Sequence, residues 1–328
     1  MNQEKGNNDT ISRRRFMKRM TKAGVSVAGA CAIGSIFYDK TGPSGSTEET
    51  QVIVPDFSMP EAGSKMAIVK GADRKVTLAK AFDAIGGIES FIKKGDRVLL
   101  KVNAAFASPP ILSATANPEL IARCIELCFK AGAEVVAVTD NPINDPAACF
   151  KLSGIAAAVE SAGGKLMLPR NDSFKPTSVK GGTLIINWPL LYEPMKGMTK
   201  LIGISPVKNH QRSGASMSMK NWYGLLGGQR NIFHQDIHNT IKELAMMVRP
   251  TLVILDGTKT MMTNGPTGGA MSDLKDTDTM IVSTDQVAAD AFGCTLLGKT
   301  INDLPFISKA AEAGVGTMDF ESLKPVVI

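Results

Sequence analysis

Every histidine of the chain falls within one stretch of 29 residues, His210, His234 and His238, with Lys208 just before it and Lys220 and Arg230 inside it. An imidazole near its ordinary pKa of about 6.5 can give or take a proton at neutral pH. Lysine ammonium groups hold carboxylates or phosphates as point charges. The pattern predicts a pocket for a small anionic molecule, with His210 or His234 as the proton-transfer group and Lys208, Lys220 and the earlier Lys101 on the anion. His234 and His238 are also spaced i,i+4, which on a helix puts both rings on one face and could hold a divalent metal with His210 or Asp256. Gln235 stands where a zincin carries its catalytic glutamate, so that hydrolase class is excluded. Surface lysines and one structural histidine would explain the same spacing without chemistry.

Such residues need elements to bring them together, and the chain alternates strands with helices. Lys65 to Lys70, Arg97 to Asn103 and Glu134 to Thr139 read as strands, and so do Lys165 to Leu168, Thr183 to Asn187, Leu201 to Ile204, Thr251 to Leu255 and Met280 to Ser283. Helices are expected over Val76 to Ile92, Asn117 to Lys130, Ile155 to Ala162, Met217 to Leu226, Phe233 to Val248 and Asp285 to Leu297; Asn117 before Pro118 forms a cap, and Gly227-Gly228 a stop. Continuous apolar strands spaced by helices predict an α/β fold: a mixed, largely parallel sheet covered by helices, with a polar cleft at the strand carboxyl ends.

In open α/β sheets, ligands bind beyond the carboxyl ends of strands. That rule selects Asn103, Asp140 and Asp256, although Asn and Asp in such places also cap ordinary turns. Asn264 to Gly269 (NGPTGG) follows the Asp256 strand, and Gly265 and Gly268 would let backbone approach an anionic ligand; the loop is neither a Walker A motif nor GxGxxG. Asp290 sits in an Ala-rich helix, where a carboxylate needs a partner or must face solvent.

The 328 residues carry a formal charge of +6, but residues 1–40 alone hold eight Lys/Arg against three Asp/Glu, which leaves residues 41–328 near neutral. A near-neutral body with five Tyr and Trp in all excludes a general nucleic-acid binder. The basic head, Ser12-Arg13-Arg14-Arg15-Phe16-Met17-Lys18, precedes an uncharged run from Ala23 to Phe37 and a Pro/Gly/Ser-rich spacer over 41–48. This order resembles a twin-arginine (Tat) export signal. It implies the Tat translocase as a partner, a periplasmic or other extracytoplasmic location, and membrane contact only through residues 23–37, which are short for a spanning helix. Ala28-Gly29-Ala30 before Cys31 offers a cleavage or lipid-attachment site. The expected organisation is a signal and linker over 1–48 and an α/β domain over 49–328, in one piece or as lobes of about 60–200 and 201–328.

The five cysteines, Cys31, Cys124, Cys128, Cys149 and Cys294, contain no C-x-x-C pair, so no iron–sulfur or zinc-ribbon motif is present. Cys124 and Cys128 read as small buried hydrophobes, with a disulfide left open by an exported location.

Taken in order, the motifs of residues 66–298 resemble the domain of unknown function 362 family. They are Lys101-x-Asn103, Thr115, Gly132-Ala133 leading to Asp140, Lys208-x-His210, Lys220-Asn221 with Gly224, His234, Asp256-Gly257, Gly265-Pro266-x-Gly268 and Ala289-Asp290. The resemblance implies an α/β domain with a polar cleft and adds Asn221 to the ligand-binding candidates; it supplies no reaction. The family's asparagine–x–proline–lysine approach is here Gly203-Ile204-Ser205-Pro206-Val207, which leaves the register of that strand open.

Two functional classes follow. One is an exported enzyme acting on a small anion, with His210, Lys220, His234 and Asp256 at its centre. The other is a non-catalytic binding, carrier or cofactor-maturation protein, for which Met217, Met219, Met246, Met247, Met261 and Met262 would form an adaptable or soft-metal surface if they were exposed.

Overall fold

A computed structural model describes residues 50–328 together with Arg14, Met17, Met20 and Thr21. Residues 1–42 and 43–328 form separate compact units. In the first, the four described residues are helical, and the Thr21 hydroxyl donates to the Met17 carbonyl at 3.0 Å. The rest of the segment expected to act as an export signal, with Cys31 and residues 28–30, lies outside the described residues.

The second unit runs β1 (Met66–Lys70), α1 (Arg74–Ala84), β2 (Arg97–Lys101), α2 (Pro118–Lys130), β3 (Val135–Thr139), α3 (Pro146–Leu152), α4 (Ile155–Ser161) and β4 (Lys165–Leu166). It continues with β5 (Phe174–Thr177), β6 (Trp188–Leu191), β7 (Lys200–His210), β8 (Gly214–Ser216), α5 (Ser218–Asn221) and α6 (Ile237–Met247). β9 (Leu252–Met261), β10 (Leu274–Ser283), α7 (Gln286–Leu296), α8 (Phe306–Glu312) and β11 (Val326–Val327) complete it. One sheet in the order β11-β1-β10-β9-β7-β2-β3-β4 takes strands from both halves of the chain, with β8 pairing β7 and a separate β5-β6 ribbon. The run β9-β7-β2-β3-β4 is parallel, whereas β1, β10 and β9 pair antiparallel. The architecture is therefore a mixed, mostly parallel sheet flanked by helices.

Successive strand residues point to opposite faces, and both faces are buried. Val98 and Leu100 of β2 pack with Leu78 and Phe82 of α1 and Leu120 and Ile125 of α2. Leu99, with Leu201 and Leu255, packs on the other face with Ile241 of α6, Val287 of α7 and Phe306 of α8. Each such fully buried aliphatic side chain contributes roughly 1.5–3 kcal/mol, which explains why these strands lack polar alternation. Lys101 continues the Leu99 side of β2 at its carboxyl end, and so is delivered to the face carrying α5.

Local signals act where the sequence placed them. The Asn117 side chain accepts the Glu119 amide at 2.9 Å with Pro118 in the first turn of α2, and Asp285 accepts the Val287 and Ala288 amides of α7. Other expectations are corrected. Residues 183–187 form no strand, because the amides of Thr183, Leu184 and Ile185 all donate to the buried Glu243 carboxylate. The helix expected over 217–226 is only α5, tightened into a 3-10 turn over Trp222–Leu225. That expected over 233–248 starts as a 3-10 helix over Arg230–Asp236 and becomes α-helical at Ile237. β7 runs far past Ile204; Pro206 sits opposite Asp256, and the β7–β9 register then shifts before Lys208 pairs with Met261.

Cys124, Cys128, Cys149 and Cys294 are free and buried. Met217, Met219 and Met261 are buried, and Met246, Met247 and Met262 pack against the core that holds Met217 and Met219, so the methionine-rich surface is not formed. Among the described residues, no helix is long and apolar enough to cross a membrane.

Candidate active site

The carboxyl ends of β2, β3 and β7, together with α5, the Arg230–Asp236 turn and the tip of the β9–β10 loop, enclose a small cavity of about 60 Å³. Lys101, Asn103, Asp140, Lys208, His210, Lys220, Asn221, Arg230 and His234 all line it. Residues up to 165 positions apart in sequence, from Lys101 to Pro266, thus meet in one hollow.

Donor bookkeeping separates the lysines. Lys101 Nζ donates to the Val102 carbonyl at 2.8 Å and to Asn221 Oδ1 at 2.9 Å, and its third N–H meets Asp140 Oδ1 at 2.7 Å. It has no donor left for a ligand, so its expected role on the anion is corrected to a structural one. Asp140 is equally occupied: its oxygens also accept the amides of Ala104 at 2.7 Å and Asn141 at 2.9 Å. Asn221 also donates to the carbonyls of Lys101 and Ile204, which ties α5 to β2 and β7. Lys208 Nζ donates to Asn103 Oδ1 at 3.1 Å and to the Ala114 carbonyl, keeping one N–H. Lys220 Nζ has no hydrogen bond or ion pair among the described residues; its neighbour is the Tyr223 ring, 4.0 Å away at the centroid. The Arg230 guanidinium donates to four backbone carbonyls, those of Tyr223, Leu226, Asn141 and Pro142, and meets no carboxylate.

The electrostatic balance is lopsided. Among the described residues, Asp140 is the one acidic residue lining the cavity, and it already serves Lys101. Lys208, Lys220 and Arg230 remain without a counter-anion. Burial lowers the Lys208 amine to about 7, helped by the Lys101 charge, while Asp140 opposes. Burial also lowers the Lys220 amine to about 7, with Arg230, Lys208 and Lys101 adding to the effect.

The two cavity imidazoles stack, with centroids 5.8 Å apart and planes 6° from parallel. His210 Nδ1 accepts the amides of Arg212 at 3.2 Å and Ser213 at 3.3 Å, so its proton resides on Nε2. The Tyr223 hydroxyl donates its single proton to the Arg230 carbonyl, so at 2.9 Å it must accept from His234 Nδ1, which leaves the lone pair on Nε2. One ring thus offers a donor and the other an acceptor, and no described side chain engages either Nε2. Burial first, then the Lys220 charge, lowers His210 to about 2 and His234 to about 4, so both rings are neutral at pH 7.

Five expected site residues lie elsewhere. Asp256 accepts from Arg74 Nε at 2.6 Å and from the Thr258 amide at 2.9 Å, because the strand expected to end at Leu255 continues to Met261. His238 stacks on Phe306 at 6.1 Å, with no hydrogen bond to Nδ1. It starts a different helix from the turn carrying His234, so the i,i+4 pair does not form on one helix. Asp290 accepts the Ser218 amide at 2.8 Å, the Ser218 hydroxyl at 2.6 Å and the Met219 amide at 3.1 Å, and so holds α5 from behind. Gly265 and Gly268 serve packing: a Cβ on Gly265 would meet the Asn209 carbonyl oxygen at 1.8 Å, and one on Gly268 the Met261 methyl at 2.8 Å. Only the neighbouring Pro266 reaches the cavity. No group of three or more His, Cys, Asp or Glu among the described residues could hold a metal ion.

Two residues that spacing alone does not single out complete the site: Tyr223, which orients His234 and lies against Lys220, and Phe106, whose ring centroid is 5.2 Å from Lys208 Nζ. The aromatic pair Trp222-Tyr223 beside Lys220-Asn221 was the available signal. Gly224 has a specific reason: a Cβ there would meet Asp140 Oδ1 at 2.1 Å and Lys101 Nζ at 2.7 Å.

Fold and site define an α/β protein with a small, positively charged cleft at its parallel strand ends. Residues 98–295, more than half of the chain, match the family described as Domain of unknown function (DUF362), and the chain belongs to that family. A curated relative, "Thylakoid-associated protein sll1697" of Synechocystis sp., is 26% identical over 243 residues, covering 70% of this chain and 69% of that protein. The lactate racemase apoprotein from Thermoanaerobacterium thermosaccharolyticum is similar at 12% identity and a TM-score of 0.41, over 75% of this chain and 61% of that one. A protein from Thermotoga maritima is similar at 10% identity and a TM-score of 0.33, over 73% and 57%. The chain therefore spans about three-fifths of the length of these solved structures.

Proposed function

We propose that this protein is an enzyme that binds a small anionic molecule, a carboxylate above all, and moves a proton on it. The observation that carries this reading is the excess of buried positive charge: Lys208, Lys220 and Arg230 face one cavity whose single carboxylate is already paired. Uncompensated buried charge is costly, and an anionic ligand supplies the missing partner. The cavity volume suits a ligand of a few heavy atoms. The stacked pair supports proton transfer rather than retention alone, with His234 Nε2 as base and His210 Nε2–H as acid.

The test is ligand-induced thermal stabilisation across small carboxylates, phosphates and divalent metals. Anions should raise the melting temperature, and Lys220→Met should abolish the shift. An unchanged shift in both Lys220→Met and His210→Ala would remove the reading; tight binding without turnover of any ligand would instead leave a carrier.

The site is proposed to work outside the cytoplasm, delivered by the twin-arginine route. The paired arginines, the weakly apolar run and the spacer support this, and the name of the thylakoid-associated relative is compatible with it. A reporter fused after residue 60 should be exported, and changing Arg13 and Arg14 to Lys should stop it; equal export by that variant would refute the route.

A further inference from the structure

We propose that Lys220 is a covalent nucleophile that forms an imine with a small carbonyl compound bearing a carboxylate, of the α-keto acid class. This deepens, and rests on, the anion-binding reading of the same cavity.

The inference begins with what each buried cation touches. Lys101 spends all three donors on the protein, Lys208 spends two, and Arg230 is held by four carbonyls. Lys220 spends none, although its residue is 7% exposed. A lysine kept only to hold a permanent anion needs no such isolation, whereas a nucleophilic amine needs a lone pair free of hydrogen bonds. Desolvation beside other cations is a general way to free that lone pair at neutral pH, and Lys208, Lys101 and Arg230 supply the cations here. The Tyr223 ring face lies 4.0 Å from Nζ at its centroid, so the amine's nearest aromatic neighbour takes no conventional hydrogen bond from it.

The rest of the cavity fits the substrate class. Lys208 has one N–H for a carboxylate, and Arg230, which lines the same cavity 5.7 Å from the Tyr223 ring centroid, adds positive field. His234 and Lys220 flank the same tyrosine, with ring centroids 4.9 Å apart and Nζ 4.0 Å from the Tyr223 centroid, respectively. In the reaction, the Nζ lone pair attacks the carbonyl carbon and forms the C–N bond. The two amine protons then pass, through the imidazole pair, to the carbonyl oxygen, the C–O bond breaks, and that oxygen leaves as water. The products are one imine and one water, so no oxidant or reductant is required.

The test treats the full chain with pyruvate or glyoxylate and cyanoborohydride at neutral pH, then maps modified peptides by mass spectrometry. Lys220 should be labelled well before any surface lysine, and excess oxalate, an anion of similar size with no ketone, should protect it. Lys220→Arg should lose the label at this peptide; if that variant does not fold, oxalate protection in the unaltered protein still decides the matter. Labelling spread evenly over surface lysines, or concentrated on Lys208, overturns the inference. Thermal stabilisation by oxalate without labelling of Lys220 overturns the covalent step and leaves anion binding intact. If neither pyruvate nor oxalate stabilises the protein, the site reading itself falls.

Discussion

Lys101 and Asp140 form an ion pair of 2.7 Å against the bare backbone of Gly224, with both side chains almost fully buried. The protein takes all three donors of Lys101 and fills three acceptor positions of Asp140, so the pair serves as the floor of the cleft. Removing one member leaves the other charge buried alone, which costs about 3–5 kcal/mol. Asp140→Asn should therefore lower unfolding stability by that order in urea titrations. The double variant Asp140→Asn with Lys101→Met should recover part of the loss. Equal losses in the single and double variants would show that the two groups are not energetically paired.

The free lysines set a pH dependence. With amines lowered to about 7, Lys208 and Lys220 are protonated below that pH and neutral above it. Affinity for a carboxylate that forms no imine, such as oxalate, should be level below pH 7 and fall above it. The fall should reach up to about tenfold per pH unit for each lysine that must be charged. Calorimetric titration between pH 6 and 9 reads this, and an affinity that rises with pH would contradict it.

Ligand-free stability should move the other way. An unfolded lysine titrates near 10.4, so between pH 7 and 10 the unfolded chain binds more protons than the folded one. Stability should rise with pH across that window, by up to about 1.4 kcal/mol per unit for each lysine. Lys220→Met should remove one lysine's share of the slope, read from denaturation midpoints at several pH values.

Most of the scaffold was legible because its cues are local. Asn117-Pro118, Asp285 and the continuous apolar runs each act within a few residues, and β1, β2, β3 and the strand from Leu252 appear where periodicity put them. The gathering of Lys101, Asp140, Lys208, His210, Lys220 and His234 was also within reach, because strand carboxyl ends in an α/β sheet share one edge. Asp256 was misplaced because the same rule needs the true end of a strand, and β9 runs on through polar Thr258 and Thr260. The partnership of Asp256 with Arg74 spans 182 positions, and no local pattern signals it. Glu243 hid the irregular path of residues 183–185 for the same reason: a buried carboxylate satisfies amides that a strand would have paired.

Asp256 is bound to Arg74 and does not line the cavity, so its substitution is expected to act on stability and not on anion binding. A hydrogen bond to a charged group contributes about 1.5–3 kcal/mol, so Asp256→Asn should lower the melting temperature while leaving the anion-induced shift unchanged. Loss of anion binding in a folded Asp256→Asn protein would return this residue to the site.

Asp290 offers a more discriminating experiment, since it holds α5, and with it Lys220, without touching the cavity. Burial raises its carboxyl to about 7, against the opposing pull of Ser218 and Met219. An unfolded aspartate titrates near 3.9, so between pH 4 and 7 the folded state binds more protons than the unfolded one. The stability contribution of this group is therefore complete below pH 4 and is lost as pH rises through 7, at up to about 1.4 kcal/mol per unit. Asp290→Asn carries no titrating proton and should flatten that part of the stability profile. It also turns one acceptor into a donor facing Ser218 or Met219, which should loosen α5. Anion affinity should fall severalfold, without the complete loss expected of Lys220→Met. A flattened profile with unaltered affinity would show that the carboxylate supports the fold but does not position Lys220.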